Sequence, residues 1–213
     1  MNKKVGIIDY GLGNIYSVNK ACQFVGLDTV VTSNKTILQD VDALILPGVG
    51  AFGNAMQSLK ELNLVETILK QVSSGKPILG ICLGMQLLMK VSSEFGNHNG
   101  LDLIDGEVIR FPEGDSQNFK IPQIQWNSIN IISESSKLLK DIPRDTFYYF
   151  IHSYYVKTNR GEVVAGTASY KNINYCCAVE KDNIFGTQFH PEKSSKQGLK
   201  IFQNFKNFIN NGK

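Results

Sequence analysis

The sequence predicts an α/β fold: a central, mostly parallel sheet flanked by helices, followed by a strand-rich second half of mixed or antiparallel pairing. Three observations predict it. Over the first ninety residues, short β-rich apolar runs alternate with segments of helical periodicity, as in a parallel sheet wrapped by helices. After about Glu94 the texture changes to short alternating segments with turn residues between them. The 213-residue chain, 42% hydrophobic, is long enough to fold as one large domain with a sizeable core, and residues 1–213 are read as a single domain.

Val5 to Asp9 begins the sheet. A helical stretch from about Ile15 to Val25 ends at Gly26, Thr29 to Thr32 reads as the next strand, and Ala43-Leu44-Ile45-Leu46 as a third, fully buried one. Pro47-Gly48-Val49-Gly50 breaks the pattern. Helical periodicity resumes from about Gly53 to Ser73 with an interruption near Asn63, and a strand at Ile78 to Ile81 leads into a helix expected to run to about Val91. Seven strand-like segments follow, at Glu107–Phe111, Ser128–Ile132, Phe147–Phe150, Tyr154–Thr158, Val163–Ala168, Tyr175–Val179 and Ile184–Phe189. Leu199, Phe202, Phe205 and Ile209 recur at helical spacing in an amphipathic closing helix whose Phe stripe belongs to the core. Gly114 to Asn118 is the expected mobile loop.

Twenty-two Lys and Arg against nineteen Asp and Glu leave a net charge of +3, too small and dispersed to argue for nucleic acid or a membrane surface. Met1 to Val5 moves directly into a strand-like segment, and nowhere do eighteen consecutive apolar residues occur, so a cytosolic location is expected. Cys22, Cys82, Cys176 and Cys177 lack CxxC spacing, which suits neither a disulfide framework nor zinc, and neither metal nor cofactor is expected.

The chemistry centres on Gly80-Ile81-Cys82-Leu83-Gly84, set between the apolar run Lys76-Pro77-Ile78-Leu79 and a second apolar stretch from Met85 to Met89. A side chain presented at a sharp strand-to-helix turn needs tiny neighbours two residues away on each side. The presented atom here is a thiol sulfur, and the free N–H groups of the new helix favour thiolate and offer donors to a developing oxyanion. Of three histidines, His190 has the strongest context. It closes the run Ile184 to Phe189, Pro191 biases it toward an extended conformation, and period two then places Glu192 beside the imidazole. Cys82, His190 and Glu192 form a candidate catalytic triad of nucleophile, base and orienting carboxylate. Pro47-Gly48-Val49-Gly50-Ala51-Phe52 is a glycine-rich turn after a buried strand, where backbone N–H groups at Gly48 to Gly50 could face the sulfur.

Gly-Ile-Cys-Leu-Gly-Met-Gln at 80–86, Pro-Gly-Val-Gly-Ala-Phe at 47–52 and Gly-Thr-Gln-Phe-His-Pro-Glu-Lys-Ser at 186–194 resemble the class I, triad-type glutamine amidotransferases. Within that group, the segments Ile8 to Asn14, Lys120-Ile121-Pro122, Trp126-Asn127 and Tyr149 to Tyr155 are similar to the glutaminase subunits of imidazole glycerol phosphate synthases, in matching order over nearly the whole chain. The resemblance implies that Cys82 attacks the amide of glutamine, that His190 protonates the leaving ammonia, and that water hydrolyses the thioester. It also implies an oxyanion hole from the Leu83 N–H and a peptide of the Val49-Gly50 turn. By the same resemblance Gly48, Gln86, Glu94 and the Ser153-Tyr154 backbone hold glutamine, while Asn14, Gln123 and Trp126 lie toward a partner. That partner is a separate (β/α)₈ cyclase subunit, since this chain has no room for a barrel of roughly 250 residues.

The chain departs from the family's Lys-[Val/Ile]-Pro-His-Met-Gly-Trp-Asn by placing Gln123 and Gln125 where His and Gly are usual. A paralogous group with the same motifs supplies ammonia, through a cyclase-like barrel, to surface-sugar amidating enzymes, and it stands as the alternative pathway. A non-catalytic partner-binding module is the alternative of another class, opposed by the intact Cys82, His190 and Glu192. Gly11-Leu12-Gly13 follows a strand, but Tyr16 occupies the third position of the dinucleotide fingerprint. Cys22, Cys176 and Cys177 read as packing residues, His98 as a solvated turn residue and His152 as structural or interfacial.

Overall fold

The computed structural model describes residues 3–112 and 120–211. Its first half alternates β1 (Lys4–Ile8), α1 (Ile15–Phe24), β2 (Asp28–Thr32), α2 (Lys35–Asp40), β3 (Ala43–Gly48), α3 (Phe52–Glu61), α4 (Val65–Ser73) and β4 (Ile78–Cys82). The four strands lie parallel in the order β2-β1-β3-β4. Asn14 caps α1 by accepting from the Ser17 N–H, and Gly26, at φ +73°, turns the chain out of the helix. Asn63, at φ +53°, separates α3 from α4 at the expected interruption. The six-residue α2 has too few residues to show a period. Its local signal is Asn34, whose Oδ1 accepts from the N–H groups of Thr36 and Ile37.

Strands β3 and β4 are buried throughout because helices cover both sheet faces. Side chains alternate between the two layers. Ala43, Ile45 and Leu79 pack with α1 and the closing helix, whereas Leu44, Leu46 and Ile78 pack with α2, α3 and α4. Register pairs Gly48 with Cys82, so the glycine-rich turn and the cysteine leave the sheet at one level.

The helix after the cysteine is shorter than its apolar pattern predicts: α5 (Leu83–Leu87) is followed at once by β5 (Met89–Ser92), then β6 (His98–Asn99) and β7 (Ile104–Arg110). A helix continuing to Val91 would need the carbonyls of its preceding turn. Those of Leu87, Leu88 and Met89 instead accept from Leu101, from Leu103 and Ile104, and from Asp102. A short apolar run satisfies either period, and pairing with β7 decides for the strand.

The second half contributes β8 (Gln123–Ser128), β9 (Asn130–Ile131), β10 (Phe147–His152), β11 (Tyr154–Thr158), β12 (Val164–Tyr170), β13 (Ile173–Lys181), β14 (Ile184–Thr187) and α6 (Ser195–Asn211). β14 runs parallel to β4 on one side and antiparallel to β13 on the other, joining the two textures in one sheet. Thr187 pairs with Ile81, which carries the following segment, Gln188 to His190, past the cysteine. β8 and β10 form a separate ribbon with Gln123, Tyr148, Phe150 and His152 buried and Ile124, Trp126, Phe147 and Ile151 exposed. In α6 the expected stripe is inside: Phe202, Phe205 and Ile209 are buried, and Leu199 packs against them half-buried. The loop expected at Gly114 to Asn118 lies outside the described residues.

Candidate active site

Cys82 sits at φ +55° and ψ −108°, a conformation that L-residues adopt only when their surroundings hold them there. The flanking glycines explain how. A β-carbon on Gly80 would stand 2.7 Å from the backbone carbon and oxygen of Gly84, and one on Gly84 would run into the Leu46 carbonyl oxygen. The strand, the turn and α5 are thus in backbone contact, and the sulfur is pushed out at the carboxyl edge of β4.

His190 leaves β14 extended, at φ −96° and ψ 94°, with its N–H donating to Tyr149 O at 3.0 Å. The expectation that the chain stays extended to Glu192 is not met: Pro191–Lys193 form a 3₁₀ turn, with Pro191 at a helical start where its missing N–H costs nothing. Ser194 Oγ donates to His190 O at 2.7 Å and accepts from the Tyr149 N–H at 3.0 Å, pinning that turn to β10. The turn itself returns Glu192 Oε1 to 2.7 Å from His190 Nδ1, with side chains 1% and 2% exposed. Burial by itself lowers the His190 pKa, but the adjacent Cys82 sulfur and the Glu192 carboxylate outweigh it and raise it to about 10. Nδ1 carries a proton toward Glu192, and Nε2, buried without a strictly aligned hydrogen bond, is the atom left for the sulfur.

A cavity of about 300 Å³ opens over the sulfur, and Val49, Gly50, Leu83, Gln86, Glu94, Ser153, Tyr154 and His190 all line it with Cys82. Gly50, at φ +103°, holds a backbone state that a side chain would oppose. Gly48 stands behind this wall, packed on Tyr10 and Leu83. Glu94 Oε2 accepts from the Phe52 N–H at 2.6 Å, at the start of α3. Burial raises the Glu94 pKa, partly offset by that hydrogen bond and by His98. His98 itself is half-buried against Gly53 and not fully solvated as its sequence context suggests.

Asn14 is engaged as the α1 cap, and Trp126 is 49% exposed with its ring edge-on to Tyr149. Gln123, expected toward a partner, is fully buried and accepts from the Tyr175 hydroxyl at 3.0 Å. The alternation of β8 turns Gln123 inward and Ile124 outward. His152 also lines the cavity. Its Nδ1 donates to Tyr154 O at 2.8 Å, and burial, partly offset by that bond, lowers its pKa to about 4, so it is neutral. Ile151, Pro122 and Lys193 complete the wall; each lies in a motif that carries the resemblance, but the sequence assigned none of them a role in the site. Cys22 and Cys176 are buried with pKa values pushed up to about 12 by desolvation.

The sequence family described as glutamine amidotransferase class-I matches residues 6–208. Imidazole glycerol phosphate synthase subunit HisH of Chlorobium chlorochromatii is 47% identical over 201 residues, covering 94% of this chain and 98% of that protein. The HisH subunit of Chlorobaculum tepidum is 43% identical over 204 residues, covering 96% of this chain and all of that one. The chain belongs to the class-I glutamine amidotransferases, in the HisH family. The fold likeness extends to PurLQS from Thermotoga maritima, with a TM-score of 0.73 at 18% identity over 98% of this chain and 100% of that one. For an amidotransferase of this class, the cysteine elbow, the buried imidazole and its carboxylate are the parts that acyl transfer from a carboxamide requires.

Proposed function

We propose that this chain is the glutaminase subunit of an imidazole glycerol phosphate synthase, working in the cytoplasm as one domain over residues 1–213 and passing ammonia to a separate (β/α)₈ cyclase subunit. The observation that carries the chemistry is the strained Cys82 elbow beside the buried His190–Glu192 pair. His190 takes the thiol proton, and the thiolate attacks the side-chain carbonyl carbon of glutamine. The Leu83 N–H and an N–H of the Val49-Gly50 turn receive the oxyanion. The C–N bond breaks as His190 returns its proton to the leaving nitrogen, giving ammonia and a glutamyl thioester on Cys82. Water, deprotonated by His190, then releases glutamate. Gln86, Glu94 and the Ser153-Tyr154 backbone are the groups around the cavity that suit glutamine's polar ends.

The partner side is supported by an apolar face next to the same cavity, where Ile124, Trp126, Phe147 and Ile151 are exposed on the β8–β10 ribbon. Asn14 and Trp126 are proposed to touch the cyclase directly, and the buried Gln123 to support the ribbon from within. HisH relatives at 43–47% identity over nearly the whole chain favour the histidine pathway over the surface-sugar alternative. The intact triad argues against a binding module without catalysis.

The test is glutaminase activity of the chain alone and with the cyclase subunit from the same organism, with and without a cyclase nucleotide ligand. Ligand-dependent stimulation is the expected result. No stimulation with an alkylatable Cys82 would move the assignment to the surface-sugar pathway, and no hydrolysis under any condition would favour the binding module.

A further inference from the structure

We propose that Gln188 is a positioning residue for the Cys82 sulfur, the last member of a series of side-chain amides whose direction is dictated by one backbone carbonyl, that of Tyr154. A carbonyl oxygen only accepts, so the Gln86 group that lies 3.0 Å from Tyr154 O must be its NH₂. That same nitrogen lies 3.0 Å from the Gln188 side chain. One Gln86 amide proton goes to the Tyr154 carbonyl, so Gln188 must present its oxygen to the other. Its own NH₂ is thereby turned toward Cys82, with Nε2 3.7 Å from Sγ, a normal reach for a donor to the larger sulfur atom. The polarity matters. A donor at the sulfur favours thiolate, whereas a reversed amide would set an oxygen lone pair against the developing charge.

Three further observations make the arrangement firm. His152 Nδ1 donates to the same Tyr154 oxygen at 2.8 Å, so two donors hold the carbonyl from which the order starts. Gln188 is fully buried, and its backbone N–H donates to Cys177 O at 2.8 Å. Buried in this way, the amide has no water to trade partners with, and a misdirected one would leave polar atoms unsatisfied. Gln188 also stands two residues before His190, so one strand end delivers to the sulfur both the base that removes its proton and the donor that supports the resulting charge.

The proposal rests on the reading of Cys82 as the nucleophile, and the experiment separates the two. The rate of Cys82 alkylation by iodoacetamide, an uncharged reagent, is followed against pH by peptide mass spectrometry in the wild-type chain, Gln188→Met and Gln188→Glu. Tyr10, Glu94, His152, His190, Glu192 and Lys193 are the other ionisable groups around the sulfur, and all are retained in both variants. The expected result is an upward shift of the alkylation midpoint by about one pH unit in Gln188→Met, making alkylation roughly tenfold slower below the midpoint, with a larger shift in Gln188→Glu. In glutamine hydrolysis, kcat falls about tenfold with little change in KM. In wild-type protein, the Gln188 side-chain amide protons, followed by nitrogen-15 NMR, titrate with the alkylation midpoint. A wild-type midpoint in either folded variant, or Gln188 amide resonances that stay flat through the wild-type midpoint, would overturn the proposal. Absence of any Cys82 alkylation in wild-type protein would overturn the nucleophile assignment instead.

Discussion

His190 Nδ1 lies 2.7 Å from Glu192 Oε1, and the single 3₁₀ turn between the two residues brings both side chains almost wholly out of solvent. Glu192 both orients the ring and, with the Cys82 sulfur, keeps the imidazolium stable against its burial. Glu192→Gln keeps the shape and removes the charge. We expect kcat to fall about 10²- to 10⁴-fold, short of the losses in Cys82→Ala and His190→Ala. The alkaline limb of the pH–rate profile should move to lower pH, because the imidazolium loses a proton more readily without the carboxylate. A profile recorded from pH 6 to 10.5 tests this, and an unmoved limb contradicts the role given to Glu192.

Four thiols share the chain, and only one opens on the cavity. Desolvation holds Cys22 and Cys176 near pKa 12 and Cys177 well above the ordinary thiol value. Iodoacetamide at pH 7 should therefore label Cys82 alone in the native protein, and all four in denaturant. Cys82→Ala should remove both the label and glutamine hydrolysis while leaving the far-ultraviolet circular dichroism unchanged. Labelling of Cys176 or Cys177 at a comparable rate in native protein would contradict the burial described above.

The elbow was legible in the sequence because its glycine spacing is a local signal, Gly80 being demanded by backbone contacts with Gly84 and Met85 within one turn, even though Gly84 answers to the Leu46 carbonyl oxygen on β3. The same holds for the His190–Glu192 pairing, although the chain achieves it through a 3₁₀ turn instead of the extended run that period two suggests. The length of α5 was not legible, since the carbonyls of Leu87 to Met89 are claimed by residues 101–104, which no periodicity in that stretch announces. Gln123 reads as a polar residue in a polar segment, and only the pairing of β8 with β10 turns it inward. The Gln86–Gln188–Cys82 series joins parts of the chain about a hundred residues apart, and nothing in either local sequence marks the partnership.

Gly84 and Gly50 make different demands, and substitution should separate them. At Gly84 an alanine β-carbon would overlap the Leu46 carbonyl oxygen, a clash between two backbones that no rotamer relieves. Gly84→Ala should be insoluble or lose several kcal/mol of stability. A β-carbon at Gly50 meets nothing within 4 Å, so only its φ of +103° is at stake. Gly50→Ala should fold with a loss of about 1–2 kcal/mol, measured by urea unfolding. If the Val49-Gly50 peptide donates to the oxyanion, its kcat falls by about 10²- to 10³-fold, far beyond what that stability change explains. Wild-type kcat in Gly50→Ala would remove this turn from the oxyanion hole.

His152 and His190 are both buried, yet they pull stability in opposite directions with pH. His152 has its pKa lowered to about 4 by burial among Phe111, Phe150 and Tyr175, so between pH 6.5 and 4 the unfolded chain takes up a proton that the folded chain refuses. Its contribution is present above pH 6.5 and is lost as pH falls through that window. His190, raised to about 10, stabilises the fold fully below pH 6.5 and loses that contribution as pH rises toward 10, where the folded chain gives up the proton last. Urea unfolding at intervals from pH 4 to 10 should therefore show a maximum near pH 6.5 from this pair. His152→Gln, which keeps an N–H for Tyr154 O, should flatten the acid side alone. His190→Gln should flatten the alkaline side and, by removing the charge that helps hold the His152 pKa down, also ease the acid side. If His152→Gln leaves the acid slope intact, the neutral state assigned to the buried imidazole is wrong, whereas the hydrogen bond to the Tyr154 carbonyl keeps its direction in either state because Nδ1 carries a proton in both.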